Sequence, residues 1–340
     1  MYKLLDPTLL KARTTLTASI DRERTGIDAG FWFMEDRRYS TALIEKHRAG
    51  VRVRCLVDLR ANSGYPMNGR IIDELTAAGI PLRHKTGGGI LHWKFMGFHG
   101  QATIEFGSAN FSPDAWRPEV AVGNPEGRPP NCVAETICFC DEPEIVSSFL
   151  TRFDDLWTDA RFADLANITP KNRTRVNPPA ALSPDVQFVP LTNYGNAIIR
   201  AINQETQAID VTMYRITFAP IVQALLAALG RGVAVRLIVE SGESLLDPTY
   251  GPRMRPLVNS LIAAGASVRM RKHIGMIHQK SITLRSQGLT VFGSSNWSSA
   301  SCDSQEEHNL FTRDAGVFAW FVAQFERRWA SETETQPVEA

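Results

Sequence analysis

The 340-residue sequence repeats itself, and this repeat is the feature that most limits how the chain can fold. Near the N-terminus, "TGIDAGFWFM" resembles the later "QAIDVTMYRI", so that Ile27 and Ile209 correspond at an offset of 182 residues. Further along, "IIDELTAAGIPLRHK" resembles "LVNSLIAAGASVRMR", where Gly79 and Gly265 differ by 186. Two copies of one supersecondary pattern predict two lobes that have the same fold.

Each copy alternates strand-like runs with helix-like runs. A β-branched and aromatic run is followed by a helix, a strand, a second helix, three short strands and a closing amphipathic helix. This alternation predicts an α/β fold in which each lobe is a mixed sheet flanked by helices. We expect the lobes, residues 1–166 and 191–340, to pack with pseudo-twofold symmetry around one shared site. Residues 167–190 read as a Pro- and Asn-rich linker, and the alternative is two separate domains on that tether.

Composition indicates a globular protein but does not indicate a particular function. The chain is 44% hydrophobic and 21% charged, which is typical of a globular protein, and its net charge of +1 predicts weak overall attraction to polyanions. Five scattered cysteines favour buried thiols over a disulfide framework. No apolar run reaches membrane-spanning length, and the N-terminus lacks an apolar signal core. We therefore expect a monomer without a transmembrane segment, cytoplasmic unless a leader has been removed.

Both copies contain a histidine and a lysine two residues apart. "LHWKF" carries His92 and Lys94, and "IHQKS" carries His278 and Lys280. Residues two apart on a strand point to the same face, so each pair presents an imidazole beside an ammonium group. Such a pair suits a phosphoryl group, because the lysine offsets charge on its oxygens while the histidine attacks phosphorus or moves a proton.

Fifteen residues after each histidine comes a Gly-Ser-x-Asn cluster. Ser108 and Asn110 in the first copy, and Ser294 and Asn296 in the second, are predicted to donate hydrogen bonds to phosphate oxygens. A single His-x-Lys is usually a solvated strand and a single Gly-Ser-x-Asn usually a turn, but two copies with equal spacing favour a functional site. No Asp or Cys stands at zinc-site spacing, so we expect neither a metal nor another cofactor.

The duplicated His-x-Lys followed by Gly-Ser-x-Asn resembles the phospholipase D superfamily, and the repeat covers roughly residues 25–329. The family signature is His-x-Lys-x4-Asp, present twice in two-lobed members. This sequence departs from it, because His99 and Arg285 stand where the motif Asp is expected. The resemblance implies a metal-independent phosphodiester hydrolase, which also transfers the phosphoryl group to alcohols in some members.

The resemblance further implies how the site residues share the work. A glutamate after each Gly-Ser-x-Asn cluster, here Glu135 and Glu307, would orient a catalytic histidine and fix its tautomer. His92 is expected to attack phosphorus and form a phosphohistidine, while His278 protonates the leaving oxygen. The sequence is nearly symmetric, so the opposite assignment of the two histidines stays open.

Three functions are consistent with the sequence. The first is an enzyme that cleaves or transfers phospholipid head groups, with phospholipid as the leading substrate. The second is a metal-independent nuclease or DNA phosphodiesterase of the same superfamily, for which nucleic acid is the substrate. The third is an inactive module that binds phosphate or lipid. Both histidines and both lysines are present, which argues against the third.

Overall fold

The computed structural model describes residues 1–9, 12–116, 132–271 and 275–334. The turn-rich insertion "NPEGRPPN" of the first copy lies outside the described residues. In the first half of the chain the described elements are β1 (Tyr2–Leu5), α1 (Ala12–Arg22), β2 (Gly26–Phe31), α2 (Arg37–Arg48), β3 (Arg52–Val57), α3 (Pro66–Ala77), β4 (Leu82–Lys85), β5 (Lys94–Phe98), β6 (Thr103–Gly107), β7 (Cys132–Ala134), β8 (Ile137–Cys140), α4 (Pro143–Thr158) and β9 (Phe162–Ala166).

The second half follows the same plan. Its described elements are β10 (Val186–Val189), α5 (Tyr194–Gln204), β11 (Ala208–Met213), α6 (Ala219–Gly230), β12 (Ala234–Val239), α7 (Gly251–Ala263), β13 (Ser267–Met270), β14 (Gly275–Ile277), β15 (Lys280–Leu284), β16 (Leu289–Gly293), α8 (Ser299–Asp303), β17 (Glu307–Thr312), α9 (Ala315–Ser331) and β18 (Thr333–Glu334). None of the described helices is both long and apolar enough to cross a membrane.

Each half builds one eight-stranded mixed sheet, and the two sheets have matching strand orders. The first runs β1-β8-β6-β5-β2-β3-β4-β9 and the second β10-β17-β16-β15-β11-β12-β13-β18. In each, three neighbouring strands (β2-β3-β4 and β11-β12-β13) are parallel, because helices connect them as crossovers. The predicted fold class, two repeated α/β lobes, is confirmed.

The chain divides into two compact units. Among the described residues, unit 1 contains 1–9, 12–116 and 137–186, and unit 2 contains 132–136, 187–271 and 275–334. Residues 132–136 come from the first sequence repeat, but β7 pairs in parallel with β14 of the second. This pairing gives hydrogen-bond partners to backbone N–H and C=O groups of β7. It explains why β7 belongs to unit 2 although its sequence belongs to the first repeat.

Most of the predicted linker, residues 167–190, is anchored on unit 1. The Asn167 side chain donates to the carbonyl oxygens of Thr76 and Ile80, and the Trp157 indole donates to the carbonyl of Asn172. Further along, the backbone N–H of Asn177 donates to the carboxylate of Asp154. Side-chain bonds of this kind were not visible in a Pro- and Asn-rich sequence, which carries no periodic apolar pattern.

One buried carboxyl group in unit 1 has no counterpart in unit 2. Glu105 on β6 lies between Met96 on β5 and Phe139 on β8 in the strand register, and it is fully buried. Neither of its carboxyl oxygens has a hydrogen-bond partner in the described part of the chain. Burial therefore raises the pKa of Glu105 well above its usual range. The repeat places Val291 at the equivalent position.

Replacing Glu105 with valine should stabilise the protein at neutral and alkaline pH. The pKa of Glu105 is raised in the folded state above its unfolded value of about 4.5. Below that pH the carboxyl group is protonated in both states and its ionisation costs no stability. As pH rises above it, the unfolded state ionises first and the free energy of unfolding falls. We expect Glu105→Val to raise the free energy of unfolding by about 1–3 kcal/mol at pH 8 and by less at pH 5. Urea unfolding at both pH values measures this, and an equal change at the two would contradict it.

Candidate active site

Both His-x-Lys pairs lie at the carboxyl end of the parallel strands in their own unit. Lys94 is the first residue of β5 and stands opposite Phe31, the last residue of β2. In unit 2, Lys280 likewise begins β15 opposite Met213, the last residue of β11. In open α/β sheets this edge is where ligands bind, because helix N-termini and loops converge there.

The two pairs have nearly the same surroundings. His92 and His278 are each 8% exposed, so both are almost completely buried. The ammonium groups of Lys94 and Lys280 are buried, and each donates to the backbone carbonyl of the histidine two residues earlier. Each lysine is therefore held beside its own histidine, as the spacing predicted.

The residue between the histidine and the lysine packs against the closing helix of its unit, α4 or α9. Trp93 is fully buried, with its ring centroid 5.5 Å from that of Phe95 and 6.2 Å from that of Phe149 on α4. Its counterpart Gln279 donates to Gln324 on α9 at 3.0 Å. These contacts fix the backbone on both sides of the motif and turn the histidine and lysine to the other face.

Glu135 is bound to the histidine of the second motif. Its Oε1 lies 2.8 Å from Nδ1 of His278, and the carboxylate is 1% exposed. The contact arises because β7 pairs with β14, which ends immediately before His278. A carboxylate accepts here, so Nδ1 carries the hydrogen and Nε2 is the nitrogen left for chemistry.

Tyr214 holds the second motif from the other side. Its ring lies edge-on to the imidazole of His278, with 4.7 Å between centroids, and the Lys280 ammonium nitrogen is 5.0 Å from the same ring centroid. The backbone N–H of Tyr214 also donates to the carbonyl of Gln279. The orientation of His278 is therefore set by a carboxylate and by an aromatic edge together.

The Gly-Ser-x-Asn clusters leave the sheets at the same edge. Ser108 and Ser294 are buried, and Asn110 and Asn296 are each 7% exposed, which repeats the symmetry of the histidines. β6 and β16 run antiparallel to the strands that begin at the motif lysines, so each cluster lies beside its own motif. Contact of these side chains with phosphate remains a prediction.

Ser294 and Glu307 interact with each other. The Ser294 hydroxyl donates to the Glu307 carboxylate at 2.5 Å, and the backbone N–H of His308 donates to Ser294 Oγ at 3.0 Å. Gly293 is required here because a Cβ would collide with the backbone of His308 and Asn309 on β17. The glycine thus admits a neighbouring strand. The orienting role of Glu307 remains a prediction.

Two buried carboxylates that were not predicted from the sequence hold the segments carrying the histidines. Asp58 accepts the backbone N–H of Leu91 at 2.9 Å, and Glu240 accepts that of Ile277 at 2.7 Å. Both are fully buried, and each follows the second parallel strand of its unit. The signal was present, because "RCLVD" and "RLIVE" align in the repeat and each ends in an acid.

The positions of the absent motif Asp hold His99 and Arg285, and each contacts a carboxylate from a neighbouring strand. In unit 1, Nε2 of His99 lies 2.8 Å from Asp28. Asp28 also accepts from Arg54, which contacts Asp154 at 2.8 Å. We call these four residues the Asp28 cluster. Asp28 is three residues before the end of β2, so the cluster lies ~10 Å along the strand from the motif lysine.

Unit 2 repeats this arrangement with different side chains. Arg285 donates to Asp210 at 2.7 Å, and Arg236 donates to both Asp210 and Glu326 at 2.7 Å. We call these four residues the Asp210 cluster. It is more exposed than the Asp28 cluster, whose Arg54 and Asp28 side chains are almost completely buried. In both units the carboxylate of this pair comes from the neighbouring strand, and the histidine or arginine stands at the motif position.

The described residues contain no group of three or more His, Cys, Asp or Glu side chains placed to hold a metal ion. One further histidine, His273, which could in principle bind a metal, lies outside the described residues. The expectation of a metal-independent reaction remains a prediction, since it concerns activity.

Comparison with known proteins identifies the family. The family model described as "Cardiolipin synthase, PLD-like domain" matches residues 16–157 and again 198–329. The two matches cover both repeats and most of the chain. This chain belongs to the phospholipase D superfamily. It is thus a member of a family of phospholipase D-like phosphodiesterases, as the duplicated motifs predicted.

Individual relatives resemble parts of the chain. A mitochondrial cardiolipin hydrolase from Chlamydomonas reinhardtii is 30% identical over 118 residues, which is 35% of this chain and 45% of that protein. The human mitochondrial cardiolipin hydrolase is 23% identical over 139 residues, 41% of this chain and 52% of that protein. The chain spans about half the length of these curated relatives.

Two solved structures match the fold over both lobes. Phosphatidylserine synthase from Haemophilus influenzae Rd KW20 has a TM-score of 0.72 at 12% identity, covering 98% of this chain and 87% of that one. A polyphosphate kinase from Porphyromonas gingivalis has a TM-score of 0.67 at 16% identity, covering 97% of this chain and 47% of that one. At such identities the similarity concerns the fold alone.

Proposed function

We propose that this protein is a metal-independent phosphodiesterase of the phospholipase D type, which cleaves or transfers a phosphodiester through a phosphohistidine. The observation that carries the proposal is the contact between Glu135 and His278. A buried carboxylate on Nδ1 stabilises the protonated imidazole and leaves Nε2 for proton transfer or attack on phosphorus. A buried lysine beside each histidine supplies positive charge where a metal-dependent enzyme would use its ion.

In the proposed reaction the two motif histidines take different steps. His92 attacks phosphorus, the P–O bond to the leaving group breaks, and the departing oxygen takes a proton from His278. Water then attacks the phosphohistidine, gives its proton to His278 and releases the phosphomonoester and free His92. An acceptor alcohol in place of water gives transfer instead of hydrolysis.

A phospholipid is the leading substrate. The matching family model is named for cardiolipin synthase, and the curated relatives are named cardiolipin hydrolases. The net charge of +1 gives no general attraction to nucleic acid, whose binding depends on many cationic contacts. A lipid phosphodiester is therefore favoured over a nucleic-acid strand as the substrate.

A substrate panel tests the proposal directly. Phosphatidylcholine, phosphatidylglycerol, single-stranded DNA and bis-p-nitrophenyl phosphate are each incubated with the protein, with and without EDTA. We expect turnover of a lipid and of bis-p-nitrophenyl phosphate that survives EDTA. His92→Asn and His278→Asn are the matched controls, and each should abolish lipid turnover. Activity that requires an added divalent ion would contradict the mechanism. Cleavage of DNA without cleavage of any lipid would show that the substrate is nucleic acid and not phospholipid.

A further inference from the structure

One matched pair of positions differs between the units by a cation that lies near His278. In unit 1, Phe33 stacks on Tyr65, with 3.8 Å between ring centroids and 11° between planes. In unit 2 the equivalent residues are Arg215 and Tyr250, and the Arg215 guanidinium carbon lies 3.3 Å from the Tyr250 ring centroid. Tyr65 and Tyr250 are at equivalent positions, because each immediately precedes the third helix of its unit, α3 or α7.

The equivalence of Phe33 and Arg215 is also structural. The residue after each forms an isolated parallel bridge, Met34 with Phe111 and Ile216 with Trp297. The repeat has therefore kept the backbone and the stacked tyrosine while exchanging an apolar ring for a cation. Core packing does not require this exchange, since the apolar version is present in the same molecule.

Arg215 lies close to the reacting histidine. Its guanidinium carbon is 4.8 Å from the ring centroid of Tyr214, and the same ring is 4.7 Å from the centroid of His278. These distances place the guanidinium within about 10 Å of the imidazole. A group bound by Arg215 would therefore belong to the substrate whose phosphodiester meets His278.

The charge of Arg215 is not neutralised by a carboxylate within the described part of the chain. No carboxylate there forms an ion pair with Arg215, whose Nε is buried without a hydrogen-bond partner while one NH2 contacts the Tyr214 hydroxyl. Arg253 lies 5.8 Å from the Tyr250 ring centroid and is likewise unpaired among these residues. Asp247, the nearby acid on this loop, accepts the backbone N–H groups of Thr249 and Tyr250. A half-buried, stacked guanidinium of this kind is suited to binding a phosphate.

We propose that Arg215, held on Tyr250, binds a second phosphate of the substrate, one linker away from the phosphodiester that is cleaved. The inference rests on the proposed function and names its substrate class: a phospholipid that carries two phosphodiesters. The loop favours lipid over a nucleic-acid strand, because Leu246, four residues before Tyr250, exposes 54% of its surface. Arg215 is therefore a specificity-determining residue, which selects a lipid with two phosphates over one with a single phosphate.

The test compares cardiolipin with phosphatidylglycerol at equal mole fraction in detergent micelles, because the head group of cardiolipin is that of phosphatidylglycerol with a second phosphatidyl group attached. Arg215→Phe copies unit 1 and keeps an aromatic partner for Tyr250. We expect it to lower kcat/KM on cardiolipin about 10- to 100-fold more than on phosphatidylglycerol. Arg215→Lys should lie between, since it keeps the charge but loses the planar stack. Arg200→Phe, which removes an exposed arginine on α5, is the control for net charge.

Each other outcome has a defined meaning. Equal losses on both lipids, or a loss of thermal stability that accounts for them, would show that Arg215 is structural and would overturn the inference. A selective loss on oligothymidylate relative to bis-p-nitrophenyl phosphate would assign the second phosphate to a nucleic-acid strand and overturn the lipid class. If the wild-type protein cleaves bis-p-nitrophenyl phosphate but no lipid, this inference fails while the phosphodiesterase stands. If it cleaves no phosphodiester, the proposed function itself fails.

Discussion

Replacing Glu135 with glutamine should lower kcat about 100- to 10,000-fold, because general acid–base catalysis contributes about this much and the histidine needs the carboxylate behind it. The amide keeps the size of the side chain but loses the charge that stabilises the protonated His278 imidazole. It also offers N–H donors to Nδ1, which favours the wrong tautomer. Because Glu135 touches the histidine and not the solvent, we expect KM to change less than threefold.

The measurement is steady-state turnover of the best substrate found in the panel, with thermal unfolding recorded in parallel. Glu243→Gln, which neutralises an exposed glutamate in the same unit, should leave kcat unchanged. Glu135→Asp keeps the charge and should recover part of the loss. Full activity of Glu135→Gln, or a loss explained entirely by unfolding, would remove the orienting role of this carboxylate.

Restoring the family's aspartate at position 99 should destabilise the protein rather than activate it. His99→Asp would place a third carboxylate beside Asp28 and Asp154, with Arg54 as their shared cation, in a nearly solvent-free cluster. Although burial opposes ionisation, Arg54 and His99 hold the pKa of Asp28 well below its usual range, so that carboxylate stays charged. Removing one partner from a buried ionic group costs about 3–5 kcal/mol.

The second unit provides the matched comparison. Arg285→Asp places an aspartate at the equivalent position of the Asp210 cluster, where Arg236 and Arg285 are roughly a quarter exposed. Solvent screens that cluster, so we expect a cost of about 1 kcal/mol. Urea unfolding of both variants, with His99→Asn and Arg285→Gln as charge-neutral controls, measures the difference. A gain in kcat for His99→Asp would show that the missing aspartate limits the chemistry.

The fold was predictable because the repeat shows the same alternation of strand and helix twice. Matching offsets at Ile27 and Gly79 placed equivalent elements without any need to know how strands pair. The unit boundaries were harder, because the departure of β7 from its own lobe depends on backbone pairing with β14. That pairing joins residues about 143 positions apart and leaves no periodic signal in the sequence.

The site was predictable where one strand carries the whole signal. His92 and Lys94 share a strand with known periodicity, so spacing alone predicted that they act as a pair. The partner of Glu135 was not predictable, because the repeat gives a glutamate in each copy but not which histidine it meets. The stacking of Arg215 on Tyr250 joins residues 35 positions apart, and in sequence the arginine reads as an ordinary charge after a strand.

The central claim is that a histidine of this protein carries the phosphoryl group, and trapping that intermediate tests it most directly. Bis-p-nitrophenyl phosphate is suited to this, because p-nitrophenolate leaves without a proton and so does not need the general acid. We predict that His278→Asn, quenched in mild alkali and mapped by mass spectrometry, accumulates a p-nitrophenyl phosphoryl adduct on the peptide containing His92. The adduct should be absent from His92→Asn. An adduct on His278 in His92→Asn would reverse the two roles, and turnover of this substrate without any histidine adduct would contradict the account.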